Sequence, residues 1–328
     1  MDSTIFDQLY AEGVISGASY NKIRLKQENT FISVHWEIKT LLWLGILMLS
    51  TGLGILVYKN ISTIGHQAVL VFIALICAGC FFYCFKNKLP FSFNKVVEPN
   101  PFFGYILILA CSTFIIFIAY LQYQYNLFGT RYGLATFFPM VLLFFSAYYF
   151  DHIGVLSMAI VSLAAWLGIT VTPLKILTSN DFNSNTIIFT GLALGLLLIL
   201  TAFRTRKRNI KKHFEFTYSN FGTHIVLISC IAAMFRFDRV YMAWYFGLMI
   251  MTVLFYRKAL RDRSFYFVLI VTSYAYIGTS YVVLNLLNRA NLNIGSFYIG
   301  FLYFIASAVA LALFLIRTNR KLKTNDSL

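Results

Sequence analysis

Cys77, Cys80 and Cys84 recur at i, i+3 and i+7 within one apolar stretch, so a helix there carries all three thiols on a single face. Thiolates so spaced are ligands for zinc or partners in redox chemistry. Each would have to ionise in apolar surroundings and recruit a further ligand, and no other apolar stretch sets a histidine plainly opposite. The alternative is that cysteine acts as a small apolar packing residue. On that reading the chain has no metal site and no cofactor, which is the assignment we make from the sequence.

Three further features bear on chemistry. His224, beside Thr223, is the ionisable residue set deepest in an apolar stretch, and such residues mark ion or proton pathways by default. Its other reading is a neutral imidazole satisfied by a hydroxyl. Ser273, Tyr276 and Ser280 form a polar stripe at i, i+3 and i+7, which either lines a cavity or joins helices by hydrogen bonds. Pro139 interrupts a helical hydrogen bond inside an apolar stretch and leaves a carbonyl near Ala135 for Thr136, water or another helix to satisfy. Broken helices line many transporter sites, and proline kinks are also ordinary packing features.

The elements that hold these residues are membrane spans. The chain has 328 residues, of which 59% are hydrophobic and 12% charged, against about a quarter charged in globular proteins. Ten apolar segments, at approximately 40–58, 66–85, 102–122, 132–150, 152–171, 186–203, 219–235, 240–256, 264–285 and 295–316, are each long enough to cross as a helix. The expected fold is therefore all-α and polytopic, with about ten transmembrane helices. Only Asp151 and its neighbours separate the fourth and fifth segments; a continuous helix of roughly 40 residues would be about 60 Å long, so a hairpin is expected. Asp151 there can cap the following helix.

Residues 1–38 read as a short cytoplasmic helical pair, with Gly13 ending the first helix and Ser16 capping the second. This polar lead-in, unlike a cleavable signal, leaves the first span as a retained anchor. Residues 39–317 form the transmembrane domain, divisible into five plus five near 172–185, and residues 318–328 a basic tail.

Charge sets the threading. Placing the amino terminus inside assigns 21 of the 27 Lys and Arg residues to the cytoplasmic side and 6 to the other. Both termini are then cytoplasmic. The strongest anchor is the run RTRKRNIKK, Arg204–Lys212. Flanked by apolar segments, it argues for anionic lipid headgroups on the inner side and against nucleic acid. Arg204, Arg206, Lys207 and Arg208 are candidate headgroup contacts within it. Arg131, Arg236, Arg239 and Arg289 are candidates at the outer boundary, with snorkelling as their default role. Gly191 with Gly195, and Ala164 with Gly168, have the spacing of close helix packing, within the chain or between copies.

The stretch LYAEGVISGASYNKI, Leu9–Ile23, followed by LGILMLSTGLGILVYKN, Leu44–Asn60, resembles bacterial membrane proteins grouped as domain-of-unknown-function family 2157. The Gly13-Val14-Ile15-Ser16 turn, the glycines Gly45, Gly52 and Gly54, and Asn60 carry the resemblance; Ile61 stands where many relatives have Trp. It implies a multi-pass bacterial membrane protein and supplies no catalytic residue.

No phosphate-cradling loop, His-Glu-x-x-His helix, Gly-x-Ser-x-Gly elbow or acidic metal pair occurs in the chain. The leading expectation is an accessory, regulatory or scaffolding membrane protein, with residues 1–38 as a docking segment for a protein partner. The runner-up is a small-molecule or lipid transporter with inverted five-helix halves. An intramembrane enzyme acting on lipid-linked substrate is third, and needs His224, Tyr276 or the outer arginines to converge.

Overall fold

The computed structural model of the chain describes residues 12, 16, 17, 20, 35–96, 99–129, 131–171, 185–290 and 294–324. The expected helical pair at 1–38 and the connection at 172–184 lie almost wholly outside the described residues. Of the pair, one helical hydrogen bond is described, from Tyr20 N–H to Ser16 C=O at 2.9 Å.

Among the described residues ten helices follow in order: α1 His35–Ile64, α2 His66–Asn87, α3 Phe103–Tyr125, α4 Tyr132–Phe150, α5 Ile153–Val171, α6 Asn185–Arg208, α7 Phe214–Arg236, α8 Tyr241–Arg261, α9 Phe265–Arg289 and α10 Ile294–Thr324. No strand occurs among the described residues. The protein is thus all-helical and polytopic, as lipid requires of any chain that must satisfy its own backbone. Among the described residues eight helices are long and apolar enough to cross a membrane. The other two are α1 and α8. In α1 the described apolar part is Lys39–Ile55. The apolar centre of α8 is shortened by Tyr241, Trp244 and Tyr245 at one end and Arg257 and Lys258 at the other. Of the basic tail expected at 318–328, residues 318–324 continue α10, where Arg317, Arg320 and Lys321 suit the carboxyl-terminal end of a helix dipole.

The chain forms two compact units, Met1–Leu56 and Val57–Leu328. In the first, the hydroxyls of Ser50 and Thr51 donate to the carbonyls of Ile46 and Leu47 at 2.7 Å, keeping their polar groups inside the helix.

The second unit is organised around α7. Of the eight apolar helices it has the lowest mean hydropathy, 1.4, yet 56% of its apolar stretch is buried; on α10 the figures are 2.6 and 6%. This inversion is physical. Lipid is as apolar as leucine, so helices associate through small and weakly polar residues, and the richest in these goes to the centre. Thr217, Ser219, Thr223 and Ser229 of α7 are accordingly buried.

Two apolar cores share α7. One gathers Cys84 of α2, Leu107 and Cys111 of α3, Leu143 and Ala147 of α4, Leu156 and Ile160 of α5, Leu198 of α6, and Phe214 and Tyr218 of α7. The other joins Val226, Leu227 and Met234 of α7 to Leu248 of α8 and Val271 of α9. The first core therefore takes residues from helices on both sides of the expected division near 172–185.

Helices α6 and α7 approach closely enough to bring backbone against backbone. A Cβ built on Gly195 would lie 2.9 Å from Val226 N and 3.1 Å from Gly222 O; one on Gly222 would lie 3.0 Å from Gly195 O. Gly191 faces Ser229 Oγ in the same interface, at 2.8 Å from a built Cβ. Ala164 of α5 packs on the first core, and Gly168, one turn on, is half-buried.

Candidate functional site

Four connections meet at one end of the second unit: 88–102, 151–152, 209–213 and 262–264. Asp151 is the hub of the first three. It ends α4 in the left-handed conformation, φ 59°, with its N–H returned to Ala147 O. Its side chain does not cap α5. His152 does that, with Nδ1 accepting from Val155 N–H at 3.2 Å. The left-handed turn at residue 151 directs the carboxylate away from α5, so the cap passes to the next residue.

The Asp151 side chain is 1% exposed. Oδ2 accepts from Val96 N–H at 2.6 Å, and Oδ1 lies 2.7 Å from His213 Nε2 and 2.9 Å from Lys211 Nζ. An ionised carboxylate only accepts, so the proton on His213 that faces it sits on Nε2. Lys211 is also 1% exposed, in left-handed backbone with φ 49°. Its N–H donates to Phe93 O at 2.7 Å, and Nζ stands 5.0 Å from the centre of the Phe91 ring. Although within ion-pair distance of Asp151, Nζ makes no hydrogen bond of acceptable angle. Its attraction to Asp151 is therefore Coulombic and, with the Phe91 face, cation–π. We call this arrangement the clasp: it fastens the 91–96 and 209–213 connections to the α4–α5 hairpin.

Beside the clasp opens a recess of about 950 Å³ among the ends of α6, α7, α8 and α9. Lys95, Arg206, Lys212, Lys258, Arg261 and Arg263 line it, with Glu215 and Asp262 as its carboxylates. Arg206 holds both acids, Glu215 at 3.4 Å and Asp262 at 3.1 Å. Lys258 Nζ instead donates to the neutral Ser219 Oγ at 2.8 Å. His213 also reaches the recess wall.

Of the basic run, Arg206 lines the recess, while Arg204, Lys207 and Arg208 are exposed along the end of α6. The boundary arginines lie at the opposite helix ends and do not converge. Arg236 Nε donates to Asn185 Oδ1 at 3.1 Å; Arg289 sits 5.0 Å from the centre of the Tyr241 ring; Arg131 and Arg239 are exposed.

Inside the spans, polar side chains pair between helices. His224 Nδ1 meets Tyr274 OH at 2.9 Å, joining α7 to α9. Tyr276 OH meets Ser307 Oγ at 3.2 Å, and Ser280 Oγ meets Tyr303 OH at 3.1 Å, both joining α9 to α10. Ser273 returns its hydroxyl to Leu269 O of its own helix at 2.8 Å. His224 and Tyr276 thus face different neighbours. Because the His224 pair is one neutral hydrogen bond, Tyr274→Phe is expected to cost about 1 kcal/mol, read as a small drop in the thermal midpoint of the detergent-solubilised protein.

Pro139 borders a separate open groove of about 600 Å³ with Thr136, Gln122, Tyr132 and Ser162. The Thr136 hydroxyl donates to Gly133 O at 3.0 Å rather than to the carbonyl near Ala135. Cys77 directs its thiol to Ala110 O at 3.6 Å, and Cys84 is fully buried in the first core. Among the described residues no three His, Cys, Asp or Glu side chains are grouped as metal ligands would be.

The sequence carries only part of this site. The basic run is conspicuous, but nothing local distinguishes Lys211, which is buried, from Lys212, which is exposed. Lys258, Arg261 and Arg263 read as topological charge. The one available signal was Asp151, an acid with no cation beside it in a hairpin too tight to hide it alone.

No curated protein and no solved structure matches the chain. A family model does, and its match ends five residues beyond Asp151, so Asp151 lies inside it while Lys211 and His213 lie outside. From residue 7 to residue 156 the chain is similar to the family described as "Predicted membrane protein (DUF2157)".

Proposed function

We propose that this is an accessory, regulatory or scaffolding protein of the bacterial inner membrane, with both termini and the clasp end on the cytoplasmic side. The observation that carries the reading is the division of polar groups. Within the spans polar side chains pair between helices, as His224 does with Tyr274 and Ser280 with Tyr303, whereas a dense cluster of charged groups collects at one set of helix ends. A bundle so arranged anchors a charged membrane-proximal face and leaves it open to anionic headgroups and to a protein partner. Residues 1–38 are the docking segment in this reading. Deleting them is expected to abolish recovery of cross-linked partners while the spans still insert; the same partners recovered without them would overturn it.

A transporter is the second reading, supported by the groove beside Pro139. Saturable solute uptake by vesicles containing the purified chain alone would put it first.

A further inference from the structure

We propose that the recess at the ends of α6–α9 is a binding site for a phosphate group, carried by an anionic lipid headgroup or by a free phosphate compound. The inference goes beyond the accessory role and holds whether or not residues 1–38 recruit a protein. It starts from the distribution of charge within the recess. Six cations line it against two carboxylates, a net +4 before His213 is counted. Both carboxylates are engaged by the same guanidinium, that of Arg206. Lys258 is oriented by a neutral hydroxyl, Ser219 Oγ, so its charge is held in place without being compensated. Lys212 and Arg261 are exposed at the rim.

Topology alone would need these charges only on the correct side of the membrane. It would not need them gathered round a concavity, nor would it need a lysine fixed by a buried serine. Cations whose geometry is set by neutral partners are ready to take a multiply charged acceptor, and phosphate, with several strong acceptor oxygens, is what such groups bind best.

The backbone contributes in the same direction. α7 and α9 both begin at the recess, at His213 and Ser264, and neither start has a side-chain cap. The first turn of α9 therefore offers N–H groups and the positive end of a dipole, whereas in α7 the Phe214 and Glu215 N–H groups already donate to Lys211 O and Lys212 O, so that helix contributes its dipole alone. α6 and α8 end here, and their carboxyl-terminal dipoles are offset by their own terminal cations, Arg206, Lys207 and Arg208 on α6 and Lys258 and Arg261 on α8. On one wall Phe216 and Phe267 meet edge to face at 5.5 Å. An apolar wall beside a cationic floor suits an amphiphile, and a free phosphate compound would use the floor alone.

The test uses the full chain purified in detergent. Bound lipid is counted by native mass spectrometry after adding phosphatidylglycerol or phosphatidylcholine. Thermal midpoints are measured in inorganic phosphate and in chloride at equal ionic strength. If the source is lipid, phosphatidylglycerol is retained at least tenfold over phosphatidylcholine, and Lys212→Ala/Arg261→Ala loses that preference. If the source is a free compound, phosphate raises the midpoint by several degrees over chloride, and the same variant does not respond. Arg257→Ala/Arg317→Ala removes two exposed charges from the same end outside the recess and is expected to behave as wild type. The proposal fails if wild type shows neither preference, or if both double variants lose binding equally, which would mean diffuse surface charge. The phosphate-against-chloride comparison on wild type needs no variant, so a poorly folding variant does not protect the idea.

Discussion

Asp151→Ala is expected to give the most damaged protein of any single substitution at the clasp. It removes the partner of Lys211 Nζ, the acceptor of Val96 N–H and the acceptor of His213 Nε2 together. A lysine left buried without its counter-charge costs about 3–5 kcal/mol, a large share of the roughly 5–15 kcal/mol that holds a typical domain together. Alanine also tolerates the left-handed backbone of position 151 less well than aspartate does, by about 1 kcal/mol. The expected readout is a thermal midpoint in detergent far below wild type, or failure to purify as a single species. Asp151→Asn keeps the backbone and an acceptor for Val96 but not the charge, so it isolates the ion pair and should still be severely destabilised. Adding Lys211→Met to it removes both charges and should restore most of the loss, since replacing a buried pair by apolar groups is close to neutral. A double variant no better than Asp151→Asn would show that the carboxylate acts through hydrogen bonds alone.

The second large effect is expected at the α6–α7 contact. Gly→Ala inside a helix normally stabilises, by about 1 kcal/mol. At Gly195 and Gly222 the sign should reverse, because the new methyl meets backbone atoms of the opposite helix at 2.9–3.1 Å, and backbone cannot rotate aside. Overpacking of this kind costs about 1–3 kcal/mol, and Gly195→Leu should exceed that. Since α7 is shared by both cores, displacing it loosens each of them. Gly247→Ala on α8 is the control: nothing lies within 4 Å of its added Cβ, so it should be neutral or mildly stabilising. Equal midpoints for Gly195→Ala and Gly247→Ala would remove the claim that close approach fixes this interface.

Features encoded by neighbouring residues were legible in the sequence. The fourth and fifth segments, expected at 132–150 and 152–171, are Tyr132–Phe150 and Ile153–Val171, because Arg131 and Asp151 bound apolar runs of spanning length. The seventh begins at Phe214 instead of 219, since Glu215, Thr217, Tyr218 and Ser219 dilute its hydropathy where burial against protein makes polarity tolerable. The stripe on α9 was visible at its spacing, but the neighbours it meets, Ser307 and Tyr303, were not.

What the sequence withheld are pairings across distance. Asp151 finds Val96 and His213 55 and 62 positions away, and hydropathy has no term for such a match. The Gly191–Gly195 spacing points to a close contact but cannot name Gly222 as the surface opposite. The recess is likewise assembled from three connections and four helix ends, each of which reads alone as an ordinary basic boundary.

The clasp also imposes an order on assembly. A chain delivered amino terminus first completes the α4–α5 hairpin, at Val171, before Lys211 and His213 exist. During that interval Asp151 has only the Val96 amide, which precedes it in the chain. Arrival of the 209–213 connection then supplies two further partners at once and seats Phe214 in the first core. α7 thus acts as the closing member for helices that were made before it.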